Sequence, residues 1–147
     1  VAAIAARKKE LKEPLFRIVA DQVGRLFSPN VLTLVWARRF AGYKRPDLLT
    51  QDGERFRRLL NNRDYPLQVI WAGKPYPFDQ GAVWTFNHLY YLSHLHPHMA
   101  VLTGYELALS KALKDGADLW LNTPIVPREA SGTSGMTAAM NGAINVS

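Results

Sequence analysis

The chain has 147 residues, of which 48% are hydrophobic, and its 18 Lys and Arg outnumber its 12 Asp and Glu to give a net charge of +6. This length and apolar content are enough for the core of one domain. The sequence contains no Cys, which excludes disulfides and thiolate metal sites, and no run of about 18 apolar residues predicts a membrane span. The positive charge suggests an acidic or phosphorylated partner, or else a solvated basic surface. Much of it lies at residues 7–12 and 55–58, which are predicted to be exposed helix faces. The lack of interleaved aromatic and basic residues argues against nucleic acid.

Helices and strands are predicted to alternate along the chain. The spacing of apolar residues predicts a first helix over residues 2–24, which Pro14 would kink or split. A continuous β-branched and apolar run at residues 31–36 is typical of a buried parallel strand, and further strands are predicted at residues 67–72, 99–102, 118–121 and 143–146. Further helices are predicted at residues 47–60, 80–95, 105–114 and 136–141.

This alternation predicts an α/β fold in which residues 1–147 form one Rossmann-like domain, an open parallel sheet with helices on both faces. In such sheets ligands bind outside the carboxyl ends of the strands. The loops of interest therefore follow Trp36, Ala72, Leu102 and Leu121.

The loop before the last predicted helix is rich in Gly, Ser and Thr. A helix N-terminus offers free backbone N–H groups and the positive end of the helix dipole, so this loop is a candidate anion site. Gly132 and Gly135 let the backbone come close to a ligand. Side-chain groups for a ligand are a carboxylate that can bind sugar hydroxyls, on Glu129, and the hydroxyls of Ser131, Thr133 and Ser134.

The loop after the first strand carries four cations, Arg38, Arg39, Lys44 and Arg45. Arg offers a bidentate fork for phosphate and Lys a point charge, although a generic basic loop would have the same composition. The second candidate anion site at the same edge of the sheet favours phosphate. Lys74, after the second strand, could also reach a ligand, within a segment otherwise typical of a rigid proline turn.

The four histidines are not expected to form a metal site. His94, His96 and His98 lie around a helix end and Pro97, with no carboxylate at ligand spacing, and His88 stands apart. Surface histidines are the expected interpretation, and no metal ligand is predicted.

Several motifs, taken in order, resemble those of α-glucan (glycogen, maltodextrin or starch) phosphorylases. They lie at residues 38–45 (RRFAGYKR), 72–74 (AGK), 119–124 (LWLNTP), 129–136 (EASGTSGM) and 141–142 (NG). The resemblance extends from about residue 11 to the end and points to the short bacterial and archaeal type. It implies the C-terminal, cofactor-binding half of the two-domain GT-B fold, so the chain is expected to be a fragment of a larger enzyme.

The resemblance also implies roles for individual positions. Arg39 and Lys44 match a catalytic basic pair that holds inorganic phosphate or the sugar phosphate. The loop that binds the glucosyl hydroxyls is matched by Glu129, Ala130, Ser131 and Gly132. The pyridoxal phosphate site is matched by Thr133, Ser134, Gly135, Thr137 and Lys74. The implied reaction is cleavage of a terminal α-1,4-glucosyl unit by phosphate, which releases glucose 1-phosphate.

Thr137 departs from the family, because it stands where the family has the lysine that carries pyridoxal phosphate. Threonine has no amine, so the cofactor is expected to bind without a covalent bond or not at all. In related nucleotide-sugar transferases a second glutamate follows the first by eight residues, and that position is again Thr137. Three interpretations stay open: part of a phosphorylase-like enzyme, a nucleotide-sugar transferase domain, or a degenerate domain that binds glucan or sugar phosphate.

The family further implies an α-1,4-glucan and phosphate or glucose 1-phosphate as ligands, a cytoplasmic location, a homodimer as one possible assembly, and no allosteric regulation. Neither nucleic acid nor membrane is an expected partner. Because an N-terminal domain would supply the other side of the cleft, the isolated chain is expected to be inactive. Whether the chain is itself an enzyme therefore stays open.

Overall fold

A computed structural model describes residues 1–130 and 132–147. Five parallel strands form one sheet in the order β3-β2-β1-β4-β5. The strands are β1 (Leu32–Ala37), β2 (Leu67–Ala72), β3 (Met99–Leu102), β4 (Leu119–Leu121) and β5 (Ile144–Val146). The helices are α1 (Ala2–Val23), α2 (Gly53–Leu60), α3 (Gln80–Leu95), α4 (Leu107–Gly116) and α5 (Thr133–Met140). The predicted Rossmann-like open sheet is confirmed.

Helices cover both faces of the sheet because successive strand residues point to opposite sides. On one face Val35 and Trp120 pack in a cluster that includes Leu15 of α1, Leu113 of α4 and Ala138 of α5. The other face carries Trp36 and Trp71, which pack with Phe56 of α2 and Leu89 of α3. Burial of β1, β2 and β3 on both faces explains the nearly continuous apolar runs at these strands.

Two predicted helices, those at residues 47–60 and 136–141, differ clearly from the observed ones. Residues 47–60 are not one helix: a 3-10 turn covers Leu48–Thr50, and α2 begins after Asp52, whose side chain accepts a hydrogen bond from the Arg55 backbone N–H. The helix α1 continues through Pro14 without being split. The last helix begins at Thr133 and not at residue 136, so Thr133 and Ser134 lie in its first turn.

The charged segment at residues 7–12 was predicted to be an exposed helix face, and this is wrong for Lys12. Lys12 is only 4% exposed, forms an ion pair with Asp118 and donates to the Val31 carbonyl, so it fastens α1 to the amino edge of the sheet. Lys8, one helical turn earlier, donates to the Asp115 carbonyl, and burial lowers the pKa of its amine. These lysines are accordingly part of the fold.

The strand order places a crevice between the carboxyl ends of β1 and β4. From β1 the chain continues outward to β2 and β3, and from β4 it continues in the opposite direction to β5. This reversal is the topological switch point at which open α/β sheets bind their ligands. The basic loop follows β1 and the glycine-rich loop follows β4, so the fold brings the two predicted anion-binding segments to this crevice.

Candidate functional site

Glu129 joins the two loops at the switch point. Arg38 Nη1 lies 3.1 Å from Glu129 Oε2, and Lys44 Nζ lies 3.3 Å from Glu129 Oε1. The side chains are 6%, 13% and 20% exposed for Arg38, Lys44 and Glu129, so water screens these charges only in part. Two cations and one carboxylate leave a net positive charge in the crevice.

Arg38 reaches further, to the first turn of α5. Its Nη2 donates to Ser134 Oγ at 3.3 Å, and a Cβ atom on Gly132 would lie 3.0 Å from the same Nη2. Arg38 Nε and Asn122 Oδ1 are buried without a hydrogen-bond partner in the described part of the chain. A buried donor and a buried acceptor without partners indicate a polar spot that is suited to a ligand or a water.

A network of side-chain hydrogen bonds holds the backbone of Lys44 in place. Trp36 Nε1 donates to Thr123 Oγ1 at 3.1 Å, and Thr123 Oγ1 lies 2.9 Å from the Lys44 carbonyl, to which it donates. Arg45 adopts a left-handed backbone with φ of 46° and donates to the Thr123 and Pro124 carbonyls. Arg45 therefore braces the loop, and its guanidinium is committed to the backbone.

Arg39 and Lys74 lie together, but in a neighbouring pocket. Both side chains are exposed and line a cavity of about 360 Å³ with Tyr76, Tyr105 and two prolines, Pro75 and Pro77. The structure therefore gives the predicted pair different surroundings: Lys44 contacts Glu129, whereas Arg39 lines this cavity. The cavity is lined by residues that follow β1, β2 and β3.

The remaining predicted site residues lie on or beside α5. Ala130 and Thr133 are exposed, Gly135 is buried against Asn145, and Ser131 lies outside the described residues. Thr137 Oγ1 donates to the Thr133 carbonyl at 2.9 Å, and Thr137 lines a cavity of about 320 Å³. That cavity is also lined by two lysines of α4, Lys111 and Lys114.

The histidines pack separately on aromatic rings. His88 stacks on Trp84, His94 lies edge-on to Tyr90, and His96 lies edge-on to Phe56. Within residues 1–130 and 132–147, no group of three or more His, Asp or Glu is arranged to hold a metal ion. None of the helices in this same part of the chain is long and apolar enough to cross a membrane.

Comparison with known proteins finds several relatives of the chain. It is 36% identical over 145 residues to a glycogen phosphorylase of Aquifex aeolicus and 36% identical over 143 residues to a maltodextrin phosphorylase of Thermococcus litoralis. The chain is a homologue of the α-glucan phosphorylases. It is also 54% identical over 141 residues to an uncharacterized protein of Methanocaldococcus jannaschii, and no family model matches it.

The similarity to these phosphorylases covers 97% and 95% of this chain. The chain in turn spans 21% and 17% of the lengths of the two phosphorylases, and 27% of the archaeal protein. Almost the whole chain, including the region of the switch point, is therefore similar to these homologues.

Arg38 is the site residue that sequence reasoning left without a role. It was counted among the four cations, but the phosphate contact was assigned to Arg39. The alternation of side chains along a strand could have identified Arg38. It follows Trp36 by two residues and is therefore expected on the same side of the sheet, and the Trp36 indole contacts Thr123 in the loop after β4. Asn122 and Thr123, directly after β4, were also not assigned.

Proposed function

We propose that this chain supplies the phosphate- and glucosyl-binding side of an α-glucan phosphorylase-like glycosyltransferase. In that reaction inorganic phosphate replaces the glucan at the anomeric carbon of a terminal α-1,4-linked glucose, and glucose 1-phosphate is released. The observation that carries the proposal is the Glu129 carboxylate held by Arg38 and Lys44 at the switch point. The homologous glycogen and maltodextrin phosphorylases support it.

The chemistry of the crevice fits an oxyanion beside a sugar. Lys44 and Arg38 supply charge-assisted donors, and the N-terminal turn of α5 adds backbone N–H groups. Glu129 has about four lone-pair positions, so its carboxylate can accept from sugar hydroxyls while it binds the cations. Each of these groups is positioned before a ligand arrives, which is the arrangement that stabilises developing charge.

The residues fit the covalent attachment of pyridoxal phosphate poorly. Thr137 has no amine, Lys74 lines the Arg39 cavity, and Lys111 forms an ion pair with Asp115. Thr133 and Ser134 could bind a phosphate group of the cofactor without a covalent bond. We therefore derive no catalytic step from the cofactor. Because Thr137 has no amine, a second candidate function is a domain that binds sugar phosphate or glucan without catalysis.

Phosphate binding tests the site. Lys44→Ala is expected to weaken inorganic phosphate or glucose 1-phosphate binding by about tenfold or more, because it removes a partly buried charge-assisted donor. Arg39→Ala is expected to weaken it less, since Arg39 is exposed. Isothermal titration measures both, with Lys9→Ala as the matched control, which removes an exposed lysine of α1. Equal affinity in Lys44→Ala and the parent would remove Lys44 from the site.

The chain by itself is expected not to phosphorolyse maltodextrin. All the site groups come from one sheet edge, and most of the rate of such reactions depends on positioning both reactants. A coupled assay for glucose 1-phosphate measures the activity, with an intact phosphorylase as the positive control. Sustained release by this chain alone would contradict the proposal that a facing domain completes the cleft. Protection against thermal unfolding by a nucleoside diphosphate sugar, and not by phosphate, would instead favour the nucleotide-sugar alternative.

A further inference from the structure

We propose that Glu129 makes the crevice selective for oxyanions that carry a proton, so that hydrogen phosphate binds in preference to sulfate. The inference rests on the proposed function, because it concerns the same anion site. It assigns to Glu129 a specificity role in addition to any contact with sugar hydroxyls.

The geometry of the two ion pairs carries the inference. Arg38 and Lys44 approach different oxygens of the same carboxylate, at 3.1 and 3.3 Å. An anion that binds both cations must therefore sit beside Glu129. The carboxylate is 20% exposed and lies between two largely buried cations, so it is fixed in the site.

A fixed carboxylate acts differently on the two anions. Hydrogen phosphate keeps at least one proton at neutral pH, and its O–H can donate to a free lone pair of Glu129. Sulfate has no proton to donate, so its oxygens face the carboxylate with like charge. A site that hydrogen-bonds a ligand O–H discriminates against an analogue that lacks it, because the acceptor is left opposed to another acceptor.

The buried polar atoms nearby favour the same kind of ligand. Arg38 Nε and Asn122 Oδ1 lack partners within the described residues, one being a donor and the other an acceptor. Gly132 lies beside this spot, since a Cβ added there would lie 3.0 Å from Arg38 Nη2 and 3.6 Å from Asn122 Oδ1. The phosphate oxygens can accept from Arg38 Nε, and the single O–H of hydrogen phosphate can donate either to Glu129 or to Asn122 Oδ1, whereas a fully ionised anion offers a donor to neither acceptor.

The test is the ratio of the sulfate and phosphate dissociation constants, measured at about pH 8, where both ions carry a similar charge. The parent chain is expected to bind phosphate at least about tenfold more tightly than sulfate. In Glu129→Gln the ratio is expected to fall to within about threefold of one, since the amide can donate to either ion. The ratio is used because losing the negative charge of Glu129 raises the affinity for both anions, and this common gain cancels in the ratio.

Two further variants keep the result interpretable. Glu129→Asp retains a carboxylate and is expected to retain phosphate preference, and Glu13→Gln, an exposed position on α1, is the matched control that should leave the ratio unchanged. A parent chain that binds both ions equally, or a Glu129→Gln chain that keeps the parental ratio, overturns the inference while the anion site stands. Failure of parent and variant to bind either ion overturns the proposed function together with it.

Discussion

Gly73→Ala is expected to destabilise the chain by about 3 kcal/mol or more, because the new methyl group has no space. Its Cβ would lie 2.0 Å from the Arg38 carbonyl oxygen and 3.2 Å from the Phe40 ring, and φ at Gly73 is 153°. The obstacle is backbone and not the end of a flexible side chain. Urea unfolding followed by circular dichroism measures the change in the free energy of unfolding.

The expected effect of Gly73→Ala links the stability of the chain to the position of Arg38 in the site. Arg38 N–H donates to the Ala72 carbonyl and Phe40 N–H to the Lys74 carbonyl, so the β1 segment runs beside Gly73 past the end of the strand. Displacing this segment would move Arg38 away from Glu129. Gly42→Ala is the matched control, since nothing lies within 4 Å of its added Cβ, and it should change stability by less than about 0.5 kcal/mol. A Gly73→Ala chain as stable as Gly42→Ala would contradict the described approach of the two loops.

Thr137→Lys is expected to give the chain a preferred site for covalent capture of pyridoxal phosphate. The side chain at 137 lines a cavity of about 320 Å³, and the parent has only a hydroxyl there, bonded to the Thr133 carbonyl. Position 137 is one helical turn after Thr133, so an amine there would meet the aldehyde of a cofactor whose phosphate is bound by the first turn of α5. This proximity is expected to raise its reactivity by about tenfold or more over a surface lysine. Mass spectrometry after borohydride reduction measures the labelling at each lysine.

The control for this experiment is Met136→Lys, which adds a lysine to the neighbouring, exposed position of α5. Because adjacent helix positions point in different directions, that amine should label no faster than other surface lysines. Equal labelling of the two variants would mean that the cavity beside Thr137 does not receive the cofactor. Preferred labelling of Lys111 or Lys114 in the parent would mean that α4 supplies the amine.

The sheet could be predicted from the sequence because the patterns that indicate its strands are local. The central part of the sheet, β1, β2 and β3, consists of short apolar runs that are almost entirely buried, and α3 covers the predicted residues 80–95, with the Asp79 side chain capping its first turn. The start of α5 was missed because Thr133, Ser134 and Gly135 have the composition of a turn. In the structure Gly135 packs directly on Asn145 of β5, so tertiary packing outweighs the weak local propensity for a helix.

The location of the site could be predicted from the sequence, but the contacts between its side chains could not. Alternating strands and helices put both loops at one sheet edge, which follows from topology alone. Which of two adjacent arginines faces the β4 loop depends on how the chain leaves β1, and that is fixed by pairing with the segment after β2. The partnership of Glu129 with Arg38 and Lys44 spans 91 and 85 residues, a separation over which sequence patterns carry no distance information.

The central claim is that the loops after β1 and β4 bind one oxyanion together. The most direct measurement is a titration of the isotopically labelled chain with inorganic phosphate, followed by the NMR chemical shifts of the backbone amides. The amides of Lys44, Gly132 and Thr133 are expected to shift together and to give a single dissociation constant. Shifts confined to other basic surfaces, such as α2 with Arg55 and Arg58, or different constants for the two loops, would contradict it.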